Sequence, residues 1–156
     1  PPMSGQSVCT ADAVRRMSEA EILQIAKSRD LDLDEPTYLR IISDKTASLL
    51  STCCQIGAAS ASRDRSHTEL MKEFGENIGM VFQIRDDLLD YTGRKSITGK
   101  PTGIDLKEKK LTLPLIHSLA QAPKAESKRI ISLIKNGASG KDIQRIVEFA
   151  EGFGCI

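Results

Sequence analysis

Apolar residues recur three and four positions apart along most of the chain, while strict alternation over a strand's length is scarce. That period predicts an all-α protein. Val14, Met17, Ile22, Ile25 and Ala26 mark a first helix, which fades at Ser28-Arg29-Asp30. Asp30, Asp32, Asp34 and Glu35 alternate and suit a helix entry rather than one helical face. Pro36 then fits the first turn of a second helix. This helix carries Tyr38, Ile41, Ile42, Leu49, Cys53 and Ile56 and is expected to run to about Ser62. Gly57, Ala58, Ala59 and Ala61 predict close helix packing near its end. A third helix, from near Ser66 to Thr92-Gly93, places Leu70, Phe74, Ile78, Val81 or Phe82, and Leu88 or Leu89 on a core stripe. Three glycines, a proline and a run of donors predict a loop over 93–103. Shorter helices are expected at 113–120, 125–135 and 140–152. The first six residues offer no element of their own, and no internal repeat is present. The expected organisation is a single all-helical segment over 1–156, folded as an antiparallel helical bundle.

Composition narrows the class. With 156 residues, 40% of them hydrophobic, the chain can bury a core without metals or disulfides. Twenty-two Lys and Arg against 21 Asp and Glu leave a net charge of +1, which excludes the basic footprint of a general nucleic-acid binder. Cys9, Cys53, Cys54 and Cys155 show neither a disulfide framework nor CxxC metal spacing, so they read as reduced thiols of a cytoplasmic protein. No secretory signal is apparent. The stretch 46–62 is uncharged, but seven of its seventeen residues are Ser, Thr or Gln. It reads as a buried helix of a soluble protein, not as a transmembrane segment.

The chemistry concentrates on the third helix. In Phe82-Gln83-Ile84-Arg85-Asp86-Asp87-Leu88-Leu89-Asp90, Asp86 and Asp90 stand one turn apart on one face, and Asp87 lies within about 100° of both. Like charges this close repel and are costly in a helix unless a cation neutralises them. Such triplets are commonly solvated faces; here Leu88 and Leu89 inside the triplet and Phe82 one turn before it predict an edge bordering apolar packing. All-oxygen ligands without Cys or His favour a hard ion, magnesium or calcium, and few protein ligands leave room for water and phosphate, as magnesium prefers. The segment 94–110 that follows carries six Lys or Arg against two Asp or Glu. Lys100 and Lys110 there could meet phosphate as flexible point charges, although each alone is an ordinary surface lysine. Lys45, amid Ile41, Ile42 and Leu49, needs a partner or an anionic ligand. Thr46 offers a hydroxyl, for a ligand or for its own backbone.

Taken together, these residues resemble the trans-isoprenyl diphosphate (polyprenyl) synthases. The matching runs are Glu21-Ile22-Leu23-Gln24; Tyr38-Leu39-Arg40-Ile41 leading to Lys45-Thr46-Ala47; the block from Phe74-Gly75 to Gly93 with Asp-Asp-Leu-Leu-Asp; and Gly99-Lys100-Pro101-Thr102-Gly103-Ile104-Asp105-Leu106 to Lys110-Leu111-Thr112-Leu113-Pro114. They stand in family order from about Glu19 onward and are similar to the C-terminal half of an enzyme of the octaprenyl or similar polyprenyl type. The resemblance implies the isoprenoid-synthase helical bundle, here its second part. It implies that Asp86, Asp87 and Asp90 hold magnesium against an allylic diphosphate, that Lys45, Lys100 and Lys110 grip the same diphosphate, and that Thr46, Phe82 and Gln83 line the site where the allylic cation forms. The implied reaction adds isopentenyl diphosphate to that cation.

The family's first aspartate-rich motif has no counterpart here. Three accounts follow: a remnant of a longer synthase, which is preferred; a natural subunit completed by another chain; or a noncatalytic helical module that binds magnesium, diphosphate or a partner. The isolated chain is expected to show little or no prenyl transfer. A homodimer or a complementing chain is expected from the family, and no nucleic-acid partner.

Overall fold

A computed structural model of the protein describes residues 5–93 and 103–156. Helices α1 (Gly5–Asp30), α2 (Glu35–Ile42), α3 (Ser48–Ala61), α4 (Arg65–Thr92), α5 (Ile104–Lys107), α6 (Leu113–Gln121), α7 (Lys124–Lys135) and α8 (Gly140–Gly152) account for most of it. Among the described residues there is no strand, and no helix is long and apolar enough to cross a membrane. The chain is all-α, as its periodicity predicts. The loop expected over 93–103 lies, between its two end residues, outside the described residues.

Local chemistry sets the boundaries. α1 ends where Leu31 adopts a left-handed conformation at φ 51°. The Asp34 carboxylate then accepts the Thr37 N–H at 2.9 Å, capping α2 and giving the acidic run its helix-entry role. The Asp64 carboxylate accepts the Ser66 N–H at 2.8 Å and opens α4 in the same way. At α8, Ser139 and Asp142 form a reciprocal capping box. α1 begins at Gly5, inside the stretch expected to lack structure, and α5 is an added turn that no period announces.

Residues 35–61 depart from the single helix expected there. Between α2 and α3 the backbone widens into a π-turn, Ser43–Ala47, in which the Ser48 N–H donates to the Ser43 carbonyl five residues back. Apolar spacing carries no signature of one such inserted residue.

The helices fall into two compact units, Pro1–Gln24 with Leu39–Gln83, and Ile25–Tyr38 with Ile84–Ile156. In the first unit the buried side chains are small: Ala13, Ala20, Ala47, Ser48 and Ser51, beside Ile41 and Ile42. The reason is the approach of α4. A Cβ on Gly79 would stand 2.4 Å from the Ala47 Cα, and one on Gly75 would stand 2.7 Å from the Leu50 carbonyl oxygen and the Ser51 Cα. Backbones this close exclude any side chain. The glycines that permit close packing are thus on α4, and not at Gly57, where an added Cβ meets nothing within 4 Å. Docking through this glycine face corrects the expected core stripe: Leu70, Phe74, Ile78, Val81 and Phe82 are exposed. The buried helix expected over 46–62 is buried only at its start, and Leu49 and Cys53 are exposed.

The second unit has a conventional aliphatic core, in which Leu106, Leu115, Ile134 and Ile146 are almost wholly excluded from solvent. Gly103, at φ 74°, enters α5 so tightly that a Cβ would stand 2.5 Å from Ile143.

Candidate active site

Lys45 and Thr46 occupy the π-turn of the first unit. The Lys45 ammonium is ion-paired to Glu21 and donates to the Gln24 side-chain oxygen at 2.7 Å. Both partners come from α1, so the partner that a lysine at this position requires is supplied within the fold. The Thr46 hydroxyl donates to the Gln83 side-chain oxygen at 2.8 Å, joining residues 37 apart in sequence. Phe82, beside Gln83, is 61% exposed.

The aspartates of the second unit occupy three different environments. Asp86 is exposed, Asp87 is 5% exposed, and Asp90 is intermediate. The edge bordering apolar packing therefore holds Asp87, while Asp86 and Leu89 are turned outward. Asp87 accepts a hydrogen bond from the Tyr38 hydroxyl at 2.7 Å. Burial, then the Asp87 charge, holds the Tyr38 phenol far above its ordinary range, so Tyr38 remains a donor. Asp90 accepts the Ile104 and Asp105 N–H groups at 3.0 and 3.1 Å, tying the end of α4 to the start of α5. Behind it, the Thr112 hydroxyl donates to the Tyr91 hydroxyl at 3.0 Å.

A fourth carboxylate joins them. Asp105 is raised to about 6, first by burial and next by the charges of Asp90 and Asp87, with Lys110 opposing. The Lys110 ammonium lies 2.5 Å from Glu108 and 3.8 Å from Asp105. Lys100 lies outside the described residues.

The donor set is hard and all-oxygen, but it is not a cage. Among the described residues no group of three His, Cys, Asp or Glu side chains is arranged to hold an ion. An exposed Asp86, next to the buried Asp87, suits an ion that takes one or two carboxylates and completes its shell with water and phosphate, which is magnesium's habit.

Tyr38, Asp105, Glu21 and Gln24 were not recognised as site residues from sequence, although each stands inside a run that carries the family resemblance. Tyr38 and Asp87 are 49 positions apart, and no local pattern links them.

The polyprenyl synthetase family profile matches residues 7–150. Octaprenyl diphosphate synthase of Escherichia coli is 31% identical over 94% of this chain and 45% of its own length. Heptaprenyl diphosphate synthase component 2 of Geobacillus stearothermophilus is 39% identical over 70% of this chain and 34% of its own. A crystal structure of polyprenyl synthase from Caulobacter crescentus, complexed with calcium and isoprenyl diphosphate, superposes with a TM-score of 0.85 at 35% identity, covering 98% of this chain and 47% of that one. The helical fold is thus that of the prenyl synthases. The chain belongs to the polyprenyl synthetase family, and its matches cover between about a third and a little under half the length of these relatives.

Proposed function

We propose that the chain is the part of a polyprenyl diphosphate synthase that receives the diphosphate of the allylic substrate. The observation that carries this reading is the Thr46–Gln83 hydrogen bond. It joins two residues, remote in sequence, that the family resemblance assigns to one place. Support also comes from the acidic field around Asp87, Asp90 and Asp105.

In the proposed chemistry, the allylic carbon–oxygen bond breaks to give pyrophosphate and an allylic cation. The double bond of isopentenyl diphosphate attacks that cation, and proton loss leaves a product longer by one isoprene unit. Magnesium, when bound, supplies positive charge to the departing diphosphate. Asp86, the exposed carboxylate, would hold it, with Asp87, oriented by Tyr38, and Asp90, oriented by two backbone N–H groups, adding negative charge. Lys45, Lys100 and Lys110 would neutralise diphosphate oxygens, a role for preorganised charge. For Lys45 this means exchanging Glu21 for a phosphate oxygen. Thr46 and Gln83 present oxygens suited to a delocalised cation, and Phe82 an aromatic face.

The name of the Geobacillus relative, component 2, supports a complementing chain; a homodimer is the second arrangement that the family resemblance supports. The four cysteines are all free, which supports a cytoplasmic setting.

Calorimetric titration of the chain with geranyl diphosphate tests the reading. Binding that requires magnesium, with little or no product after isopentenyl diphosphate is added, is the expected result. Rapid product formation by the chain alone, or no binding with magnesium present, would overturn it.

A further inference from the structure

The π-turn that carries Lys45 and Thr46 is held by side chains that the proposed chemistry does not use. On one side, Arg16 of α1 donates from Nε to the Asp44 carboxylate at 2.7 Å and from its terminal nitrogen to the Ser43 hydroxyl at 3.3 Å. On the other, the Ser43 hydroxyl donates to Glu76 of α4, whose carboxylate stands 3.8 Å from the same guanidinium. Arg16, Asp44 and Glu76 are each less than a third exposed, so these are partly buried charges that constrain one another. Arg40 adds a weaker, exposed contact to Asp44 at 3.7 Å.

The backbone explains why a clamp is needed. Because the Ser48 N–H reaches back five residues to Ser43, the Asp44 carbonyl loses the amide that an α-helix would give it. The Ser48 hydroxyl takes that place, donating to the Asp44 carbonyl at 2.6 Å. Relaxation to a regular α-helix would remove one residue's worth of turn, a rotation of about 100° between the segments on either side. Thr46 could not then keep its bond to Gln83.

We infer that Arg16, Asp44 and Glu76 are positioning residues, which lock the π-turn through Ser43 and so fix the register of Lys45 and Thr46. The inference rests on the diphosphate and cation roles proposed for those two residues. Its structural half stands apart from them and can be tested apart.

Asp44→Asn removes the charge at nearly constant shape, Arg16→Gln removes its partner, and Asp44→Glu retains the charge. Two readouts are needed: amide hydrogen exchange, and magnesium-dependent binding of geranyl diphosphate. Asp44→Asn and Arg16→Gln should speed exchange at Thr46, Ala47 and Ser48 by about tenfold or more, leaving the amides of α6 and α8 unchanged. Both should weaken geranyl diphosphate binding by about tenfold, with Asp44→Glu restoring most of the affinity. Unchanged exchange at the turn, acceleration spread equally over the whole chain, or a loosened turn with full affinity would each overturn the inference. If the unaltered chain does not bind geranyl diphosphate, the functional reading fails, while exchange at the turn still decides whether the clamp exists.

Discussion

The two units use opposite means to bury a helix. In the first, α4 docks through Gly75 and Gly79 onto the backbone of the π-turn and α3, and the buried positions around it are Ala and Ser. In the second, interdigitated Leu and Ile side chains fill the interior. The distribution of exposed apolar residues follows. Among the described residues, every exposed large hydrophobic except Ile25 and Leu89 lies in the first unit. A helix that docks through its glycines turns its large side chains elsewhere, so side-chain size alone does not say which face is inside. Leu70, Phe74, Ile78 and Val81 are accordingly left exposed.

Substitutions can break this contrast. The largest effect is expected where volume is removed from the second unit: Leu115 is wholly buried, and Leu115→Ala should cost about 3 kcal/mol through lost transfer energy and the cavity left behind. A urea unfolding curve indistinguishable from that of the parent chain would show that the aliphatic core is not packed as described. The first unit should fail in the opposite sense, when volume is added. Gly79→Ala puts a methyl against the Ala47 backbone and should cost about 2 kcal/mol, and the same displacement should break the hydrogen bond between Thr46 and Gln83. Chemical shifts of Thr46 and Gln83 unaffected by this change would refute the backbone-to-backbone approach.

A smaller effect separates the units by pH. Asp105, normally near 3.8, is raised to about 6, so the folded state binds its proton more tightly than the unfolded state does. Its contribution therefore favours folding fully below 3.8, and that benefit is lost as the pH rises through about 6. Above that range the ionised group costs at most about 3 kcal/mol, and screening by water and Lys110 brings the expected figure to about 1 kcal/mol. Asp105→Asn should be more stable than the parent at pH 7.5 and lose that advantage in acid. Equal urea midpoints at pH 7.5 would show that burial and the neighbouring charges do not disfavour the ionised Asp105.

Much of the layout was legible in the sequence. Pro36 and the acidic run before it announced the entry of α2, and the helical period located α4, α6, α7 and α8 to within a residue or two. Thr46 and Gln83 were paired through their places in family runs, since 37 intervening residues leave no local trace. The π-turn was not legible, because a single widened turn shifts hydrogen bonds without changing which residues are apolar. Nor was the division of labour among the aspartates: Asp86 and Asp87 are adjacent and chemically identical, yet a rotation of about 100° exposes one and buries the other against Tyr38.

Periodicity, capping residues and the acidic and basic runs settled the helical class and the family, because these are local properties carried by neighbouring positions. Which face each helix buries, which partner each charge takes, and how Lys45 and Thr46 are set by the π-turn depend on groups brought together from distant parts of the chain. Gly79 against Ala47, Tyr38 against Asp87, and Arg16 against Asp44 exist only once the helices pack, since the free energy of each contact depends on distance and on exclusion of water rather than on order in sequence.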